Sequence, residues 1–288
     1  MYQLSVTNET GQLQSVIIGY PDNFTLDNAE IINETQKYYY FSPERPTRER
    51  IKKQFAQLIT CLQQAGVTVY QPEPIPGITD QLMTRDIGFV IGDTFVVSHM
   101  AYPSRQGEWR GIKYILDQIP ADKKLDVPDD IFIEGGDIIV DRHYIFVGIS
   151  QRTSLNGADY LQQHFPNYQV IPLHLKQVIE DEDVLHLDCT FVPVGCEHAL
   201  IYPQGFKTIP PELRTYKWIE VTKAEQQRLS TNVLSIGPDT VISQLQATRI
   251  NNQLRAIGLN VIEIDYTDPP KTGGSFRCSS LPLHRLKQ

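Results

Sequence analysis

The sequence predicts an α/β fold assembled from a recurring hairpin–helix–strand unit. Three observations carry this expectation. Stretches with helical spacing of apolar residues alternate with short strand-like runs along the chain. Apolar hairpin candidates with turn residues at their centres recur at starts near residues 89, 138, 191 and 233, with a further strand near 15, a spacing of roughly 50 residues. The 288 residues are 41% hydrophobic and 21% charged, with 18 Gly and 19 Pro. That balance belongs to a globular protein with a large core and excludes disordered, collagen-like and coiled-coil classes.

The elements follow in chain order. Ser15 to Gly19 reads as a strand. Thr47 to Ala65 places Ile51, Phe55, Leu58, Ile59 and Leu62 on one helical face, and Gly66 ends it. Val67 to Tyr70 is then a short strand. Phe89 to Val97 is a hairpin turning at Gly92-Asp93, and Gln106 to Ile119 an amphipathic helix. Ile138 to Gly148 is a second hairpin, followed by a helix from Asn156 to Phe165 with Asn156 as its cap and a strand from Tyr168 to Leu173. Phe191 to Tyr202 and Val233 to Val241 are further hairpins. Ala247 to Ile257 is a helix closed by Gly258, and Asn260 to Ile264 a strand. The acidic run Glu180 to Asp183 reads as a solvated turn. No stretch reads as a linker, so residues 1–288 are expected to form one domain. Five such units can close into a ring, which removes exposed sheet edges, or lie side by side in an open sheet. Periodicity alone does not separate these two.

The formal net charge of −8 disfavours a nucleic-acid partner, since phosphate backbones would be repelled. No apolar run approaches the roughly 20 residues needed to cross a bilayer. Met1 to Gly11 has no basic segment leading into an apolar one, so a secretory signal is not expected. Cys61, Cys189, Cys196 and Cys278 show no CxxC pair, which points to a reducing, cytoplasmic setting. Cys61, Cys189 and Cys196 lie in apolar sequence and are expected in the core.

Several residues stand apart. Gly273 and Gly274 precede Cys278, where glycine lets the backbone approach a ligand closely, and Arg277 supplies a neighbouring positive charge that favours a thiolate. His186 and Asp188 in LHLDCTF share one face of an extended segment, an arrangement suited to acid–base work. Glu134 and Asp137 bracket Gly135-Gly136 before a strand. Asp86 follows Thr84-Arg85 before another, with Asp80 six residues earlier. Arg105 and Arg152 each follow a strand. Any one of these is more often structural than functional; a lone cysteine is usually core. In a ring of repeats, however, equivalent loops converge on one end of the axis. Carboxylates would grip a guanidinium and arginines a carboxylate, so the ligand would be arginine or a close analogue. A thiolate at the guanidinium carbon allows nucleophilic catalysis. Zinc is disfavoured because short-spaced ligand pairs are missing.

Five ordered motifs resemble the guanidino-group modifying enzymes, namely arginine deiminases, dimethylargininases and amidinotransferases. They are TRDIGFVIGD (84–93), EGGDIIV (134–140), GISQRT (148–153), HLDCTFVP (186–193) and GGSFRCSSLPLHR (273–285). The resemblance implies a five-bladed pseudosymmetric α/β propeller, or pentein. It also implies Cys278 as nucleophile, His186 as general acid/base and Glu134 as the group that orients the histidine. Asp86 and Asp188 would hold the guanidinium, Arg105 and Arg152 the α-carboxylate, and Asp80 the amino end or the guanidinium. No metal or organic cofactor is implied. The expected reaction is hydrolysis of free or methylated arginine to a ureido product through an amidino-cysteine. The alternatives are an amidinotransferase, an arginine dihydrolase giving ornithine, and a non-enzymatic arginine-binding protein. The partner is a small guanidino molecule, with no nucleic acid or membrane; a homodimer is compatible with the sequence. Gly77 to Met83, Asn23 to Phe41 and Asp265 to Gly274 are the expected lid segments.

Overall fold

A computed structural model describes residues 2–27, 29–180 and 182–287, apart from the side chain of Ile179. Its fifteen described strands form five three-stranded sheets. The strands are β1 (Leu13–Ile18), β2 (Thr68–Tyr70), β3 (Gly88–Ile91), β4 (Thr94–Val97), β5 (Lys124–Asp126), β6 (Ile138–Asp141), β7 (Tyr144–Ile149), β8 (Gln169–His174), β9 (Phe191–Val194), β10 (His198–Ile201), β11 (Lys217–Glu220), β12 (Leu234–Gly237), β13 (Thr240–Gln244), β14 (Asn260–Ile264) and β15 (Ser280–Arg285). In β3-β4-β5, β6-β7-β8, β9-β10-β11 and β12-β13-β14, a hairpin pairs its second strand with a parallel third. The remaining sheet, β15-β1-β2, has the same pattern, but its antiparallel strand comes from the far end of the chain. The unit is therefore repeated five times, and one copy is split between the two ends.

Local chemistry explains the elements. Helix α1 (Glu34–Tyr39) is capped by Asn33. Helix α2 (Arg48–Gln64) starts where the Thr47 side chain accepts the Arg50 N–H and stops at Gly66, whose φ of +80° suits glycine. The predicted helix over 106–119 is broken into a 3₁₀ turn (Glu108–Ile112) and the short α3 (Lys113–Leu116). Gly111 lies in this break, packed so tightly against Gln81, Glu73 and Pro72 that a Cβ would lie 2.7–2.9 Å from their atoms. Helix α4 (Leu155–His164) is capped by Ser154, which accepts from Gly157, and not by Asn156. The fourth unit carries only two short 3₁₀ turns, Pro203–Gly205 and Leu213–Thr215, and no α-helix between β10 and β11. Pro203, Pro210 and Pro211 interrupt that stretch, and proline cannot donate to a helical ladder. Helices α5 (Lys223–Gln227) and α6 (Thr248–Ala256) complete the set.

Five buried clusters fill the seams between neighbouring sheets. Ile17 and Leu283 of the split sheet pack with Val90 of the second. Phe89 packs with Val140 and Val147; Phe146 with Phe191; Val192 with Val241. The fifth cluster joins Leu234 and Ile242 back to Val16 and Ile18 of the split sheet. Burial of this kind stabilises by about 25 cal/mol per Å² of apolar surface, so each seam is a large term. No helix among the described residues is long and apolar enough to cross a membrane.

Two expectations about the surface change. Cys196 is exposed on the β9–β10 turn, where Gly195 takes a φ of +60°. In the acidic run, Asp181 lies outside the described residues; Glu182 is not simply solvated, because both its oxygens accept from Tyr202 Oη at 3.1 and 3.0 Å.

Candidate active site

Five of the residues singled out in the sequence fall at equivalent places in four of the sheets, in the turn that leads into the strand lying antiparallel to the middle one. Asp86 stands before β3, Glu134 before β6, His186 and Asp188 before β9, and Cys278 before β15. Tight 3₁₀ turns at Gly135–Asp137 and Leu187–Cys189 aim two of these sets inward. Asp137 holds the second turn through its Oδ1, which accepts the Leu187 N–H at 2.9 Å, while its Oδ2 accepts from Ser150 Oγ at 2.7 Å. Cys278, His186, Glu134, Asp86, Asp188 and Arg152 are all buried.

Two groups meet here. In the first, His186 Nε2 lies 2.8 Å from Glu134 Oε2, which also accepts from Arg152 Nη1 at 3.2 Å. His186 Nδ1 lies 3.7 Å from Asp86 Oδ1, too far for a hydrogen bond, and both atoms are buried without a hydrogen-bond partner. In the second, the Cys278 sulfur lies 3.7 and 3.8 Å from the two oxygens of Asp188. The backbone links the groups: the Arg85 N–H donates to the Cys278 carbonyl at 2.9 Å, with Asp86 the next residue. Gly136 and Gly274 make this closeness possible. A Cβ on Gly136 would lie 2.7 Å from His186 Nδ1 and 2.8 Å from Asp86 Oδ1, and one on Gly274 would lie 2.2 Å from Met83 Sδ.

The electrostatics follow from burial among charges. Burial opposes a charge on His186, but Asp86, Asp137 and Glu134 outweigh it and push its pKa up to about 10. Burial also disfavours charge on Glu134, yet His186 and Arg152 hold its carboxyl well below the usual range. Burial pushes the Asp188 carboxyl up against the opposing pull of Arg277. His186 is thus held as the imidazolium, and the acids beside it favour a cationic ligand.

The remaining predicted residues occupy the rim. Arg105 donates from Nη1 to Asp86 Oδ2 at 2.8 Å and grips Glu108 with Nε and Nη2 at 2.7 and 2.9 Å. Burial pushes the Glu108 carboxyl up to about 7 in spite of that pair. Asp80 is half-buried; burial raises its carboxyl, and its Oδ1 accepts the Leu82 N–H at 3.2 Å. With Gln36 and Tyr40, these side chains line a cavity of about 150 Å³. Arg152 stacks over Tyr102 and donates from Nη2 to the Ile32 carbonyl at 2.7 Å. The segment carrying Ile32 and α1 is tied down again where Gln36 Nε2 donates to the Thr272 carbonyl at 3.0 Å. A second cavity, of about 540 Å³, is lined by Asn33, Leu185, Cys189 and Gly273. The Cys278 thiol lines neither cavity.

Four contributors were not anticipated. Asn232 sits before β12, the equivalent place in the fifth unit, so the repeat register was the signal that could have found it. Its Oδ1 accepts the N–H groups of Arg277 and Cys278 at 2.9 and 3.2 Å, and its Nδ2 donates to the Asp188 carbonyl at 3.0 Å. Glu9 pairs with Arg277 at 2.6 Å, in a stretch with no motif. Glu108 was visible only as an acid three residues after Arg105. Cys189 is buried as expected, but beside Cys278 and not in an ordinary core position. Its Sγ donates to Asp188 Oδ1 at 3.6 Å, and the neighbouring Cys278 thiol first, then burial, push its pKa far above the ordinary value.

Two triplets bring donor atoms within 4.8 Å of one another, Asp188 with Cys189 and Cys278, and Asp86 with Glu134 and His186. Guanidinium groups already stand beside these carboxylates: Arg277 lies 3.7 Å from Asp188, and Arg152 and Arg105 pair with Glu134 and Asp86. An organic cation presenting several N–H donors suits such oxygens as well as a metal ion does.

Known proteins resemble this chain over most of its length. The family model described as N,N dimethylarginine dimethylhydrolase, eukaryotic, matches residues 20–285. An uncharacterized Bacillus subtilis protein, YkgA, is 39% identical over 281 residues, covering 96% of this chain and 94% of its own. The bifunctional arginine dihydrolase/ornithine cyclodeaminase ArgZ of Synechocystis is 26% identical over 82% of this chain, which spans only 34% of that longer protein. Arginine deiminase of Limosilactobacillus reuteri is 24% identical, with coverage of 83% and 68%. Among solved structures, SxtG, an amidinotransferase from Microseira wollei, superposes with a TM-score of 0.82 at 20% identity over 99% of this chain and 98% of that one. The chain belongs to the N,N dimethylarginine dimethylhydrolase family, within the guanidino-group modifying superfamily.

Proposed function

We propose that this protein is a cysteine hydrolase of a guanidino amino acid, free or methylated arginine, acting as one catalytic unit in a reducing, cytoplasmic setting. The observation that carries the reading is the pair of buried, unpartnered atoms Asp86 Oδ1 and His186 Nδ1, in a pocket of acids that also holds a thiol against Asp188. A guanidinium offers Asp86 Oδ1 the donor it lacks, and the Nδ1–H of protonated His186 is free to face the departing amine. The five sheets and the seam that returns to the first support a closed five-bladed propeller, which would gather the five turns at one end of its axis.

The reaction then runs as follows. Asp86 and Asp188 hold the guanidinium and keep it cationic. The Cys278 thiolate attacks its central carbon. His186, held protonated, donates its proton to the departing amine or ammonia and leaves an amidino-cysteine. Neutral His186 next takes a proton from water, whose attack releases the ureido product and restores the thiolate. Glu134 keeps the imidazole oriented and balances its charge. Arg105 reaches the substrate α-carboxylate from the small cavity, where Asp80 meets the amino end; Arg152 does the same once it lets go of Ile32. Because the thiol is buried, the segment carrying α1 lifts for the substrate to enter. Incubation with arginine and with N-methylated arginines, assayed for ureido product and released amine, tests the reading. Absence of turnover on every such compound overturns it. Ornithine formed only with an acceptor amine identifies an amidinotransferase instead, and ornithine without one a dihydrolase.

A further inference from the structure

Cys189 is the one buried thiol besides Cys278 among the described residues, and the proposed reaction does not use it. Its sulfur lies 3.6 Å from Asp188 Oδ1, the same oxygen that stands 3.7 Å from the Cys278 sulfur. The two sulfurs are within 4.8 Å of each other. The loops that carry them are fastened together by Asn232, which binds the Asp188 carbonyl on one side and the Arg277 and Cys278 N–H groups on the other. Cys189 also lines the cavity of about 540 Å³, with Asn33 and Gly273, so a small polar molecule in that cavity stands on the Cys189 side of the pair. The other cysteines have no such setting: Cys61 is half-buried on α2 and Cys196 is exposed on a hairpin turn.

We propose that Cys189 and Cys278 form a reversible disulfide when a peroxide reaches the site, taking the nucleophile out of service. The switching role rests on the hydrolase reading above; the cross-link itself does not. The Cys278 thiolate attacks one peroxide oxygen, the O–O bond breaks, and the other oxygen leaves as hydroxide and is protonated to water. Cys278 is then a sulfenic acid. The Cys189 sulfur, losing its proton, attacks that sulfur and expels the second oxygen as water. Two thiols are oxidised by two electrons, and hydrogen peroxide is reduced to two waters. A dithiol returns both cysteines by exchange. Trapping as the disulfide also stops Cys278 from advancing to the irreversible sulfinic acid.

The test treats the full chain with hydrogen peroxide, blocks remaining thiols with iodoacetamide, and maps the digest by mass spectrometry before and after dithiothreitol. Before blocking, the protein is expected to be two hydrogens lighter; after it, Cys61 and Cys196 are alkylated and the Cys189 and Cys278 peptides cross-linked, a link that dithiothreitol removes. In Cys189→Ser, Cys278 is instead expected to gain two oxygen atoms and to resist dithiothreitol. The wild-type map stands by itself if that variant fails to fold. Wild-type Cys278 carrying oxygen atoms while Cys189 remains alkylated overturns the proposal. A cross-link in a protein that turns over no guanidino compound would sink the hydrolase reading and leave the cross-link standing; turnover with no cross-link does the reverse.

Discussion

Asp188 holds both carboxylate oxygens within 3.8 Å of the Cys278 sulfur, so the acid that would grip the substrate and the atom that would attack it share one spot. This closeness sets how costly the loss of the charge should be. Asp188→Asn keeps the shape and removes the anion. The expected loss is about 2–4 kcal/mol of transition-state stabilisation, or roughly 30- to 1000-fold in kcat/KM. Steady-state kinetics on arginine check it; a change under threefold would remove Asp188 from the reaction.

Glu108 should act through Arg105. It receives both the Nε and Nη2 hydrogens of that guanidinium and fixes its direction. Glu108→Gln should raise KM by about 10- to 100-fold and change kcat little, since a charge-assisted hydrogen bond is worth about 1.5–3 kcal/mol. Because the carboxyl titrates at about 7, wild-type KM should rise as pH falls through that value, and the variant should lose this dependence. Equal pH profiles for the two proteins would contradict the role.

Gly136 should tolerate no side chain. Its missing Cβ leaves the space that His186 Nδ1 and Asp86 Oδ1 occupy at 2.7 and 2.8 Å from where that atom would sit. Gly136→Ala should push the imidazole out of line and lower kcat by about 100-fold. The overpacking should cost about 1–3 kcal/mol in urea unfolding. Unchanged kcat would mean that the imidazole need not stay where it lies.

His186 should make stability depend on alkaline pH. Its folded pKa of about 10 is above the ordinary value of 6.5, so the protonated form favours folding. That contribution is complete below about 6.5 and is lost as pH climbs through about 10. Tm should therefore fall as pH rises from about 6.5 to about 10, and fall less in His186→Gln. Parallel curves for the two proteins would contradict the charged state.

Much of this was legible because the repeat is written in the residues. Gly92 and Gly195 mark two of the hairpin turns with positive φ, and the apolar face of α2 reads directly as Ile51, Phe55, Leu58 and Leu62. Asp86, Glu134, His186, Asp188 and Cys278 precede strands in succession, so a recurring loop position can be read from order alone. What stayed hidden depends on partners distant in sequence. Nothing next to Asn232 reveals that it joins residues 188 and 278. Glu9 matters only because Arg277, far along the chain, needs a buried anion. Cys189 reads as core until Cys278 is placed beside it. The helix over 106–119 follows its apolar period, but the close packing at Gly111 breaks it.

The central claim is that Cys278 bonds to the guanidinium carbon of the substrate. Intact-protein mass spectrometry of enzyme quenched with acid during turnover of arginine tests it most directly. An amidino adduct that maps to the Cys278 peptide and is absent from Cys278→Ser is the expected result. Steady product formation with Cys278 unmodified, or undiminished turnover by Cys278→Ser, would contradict it.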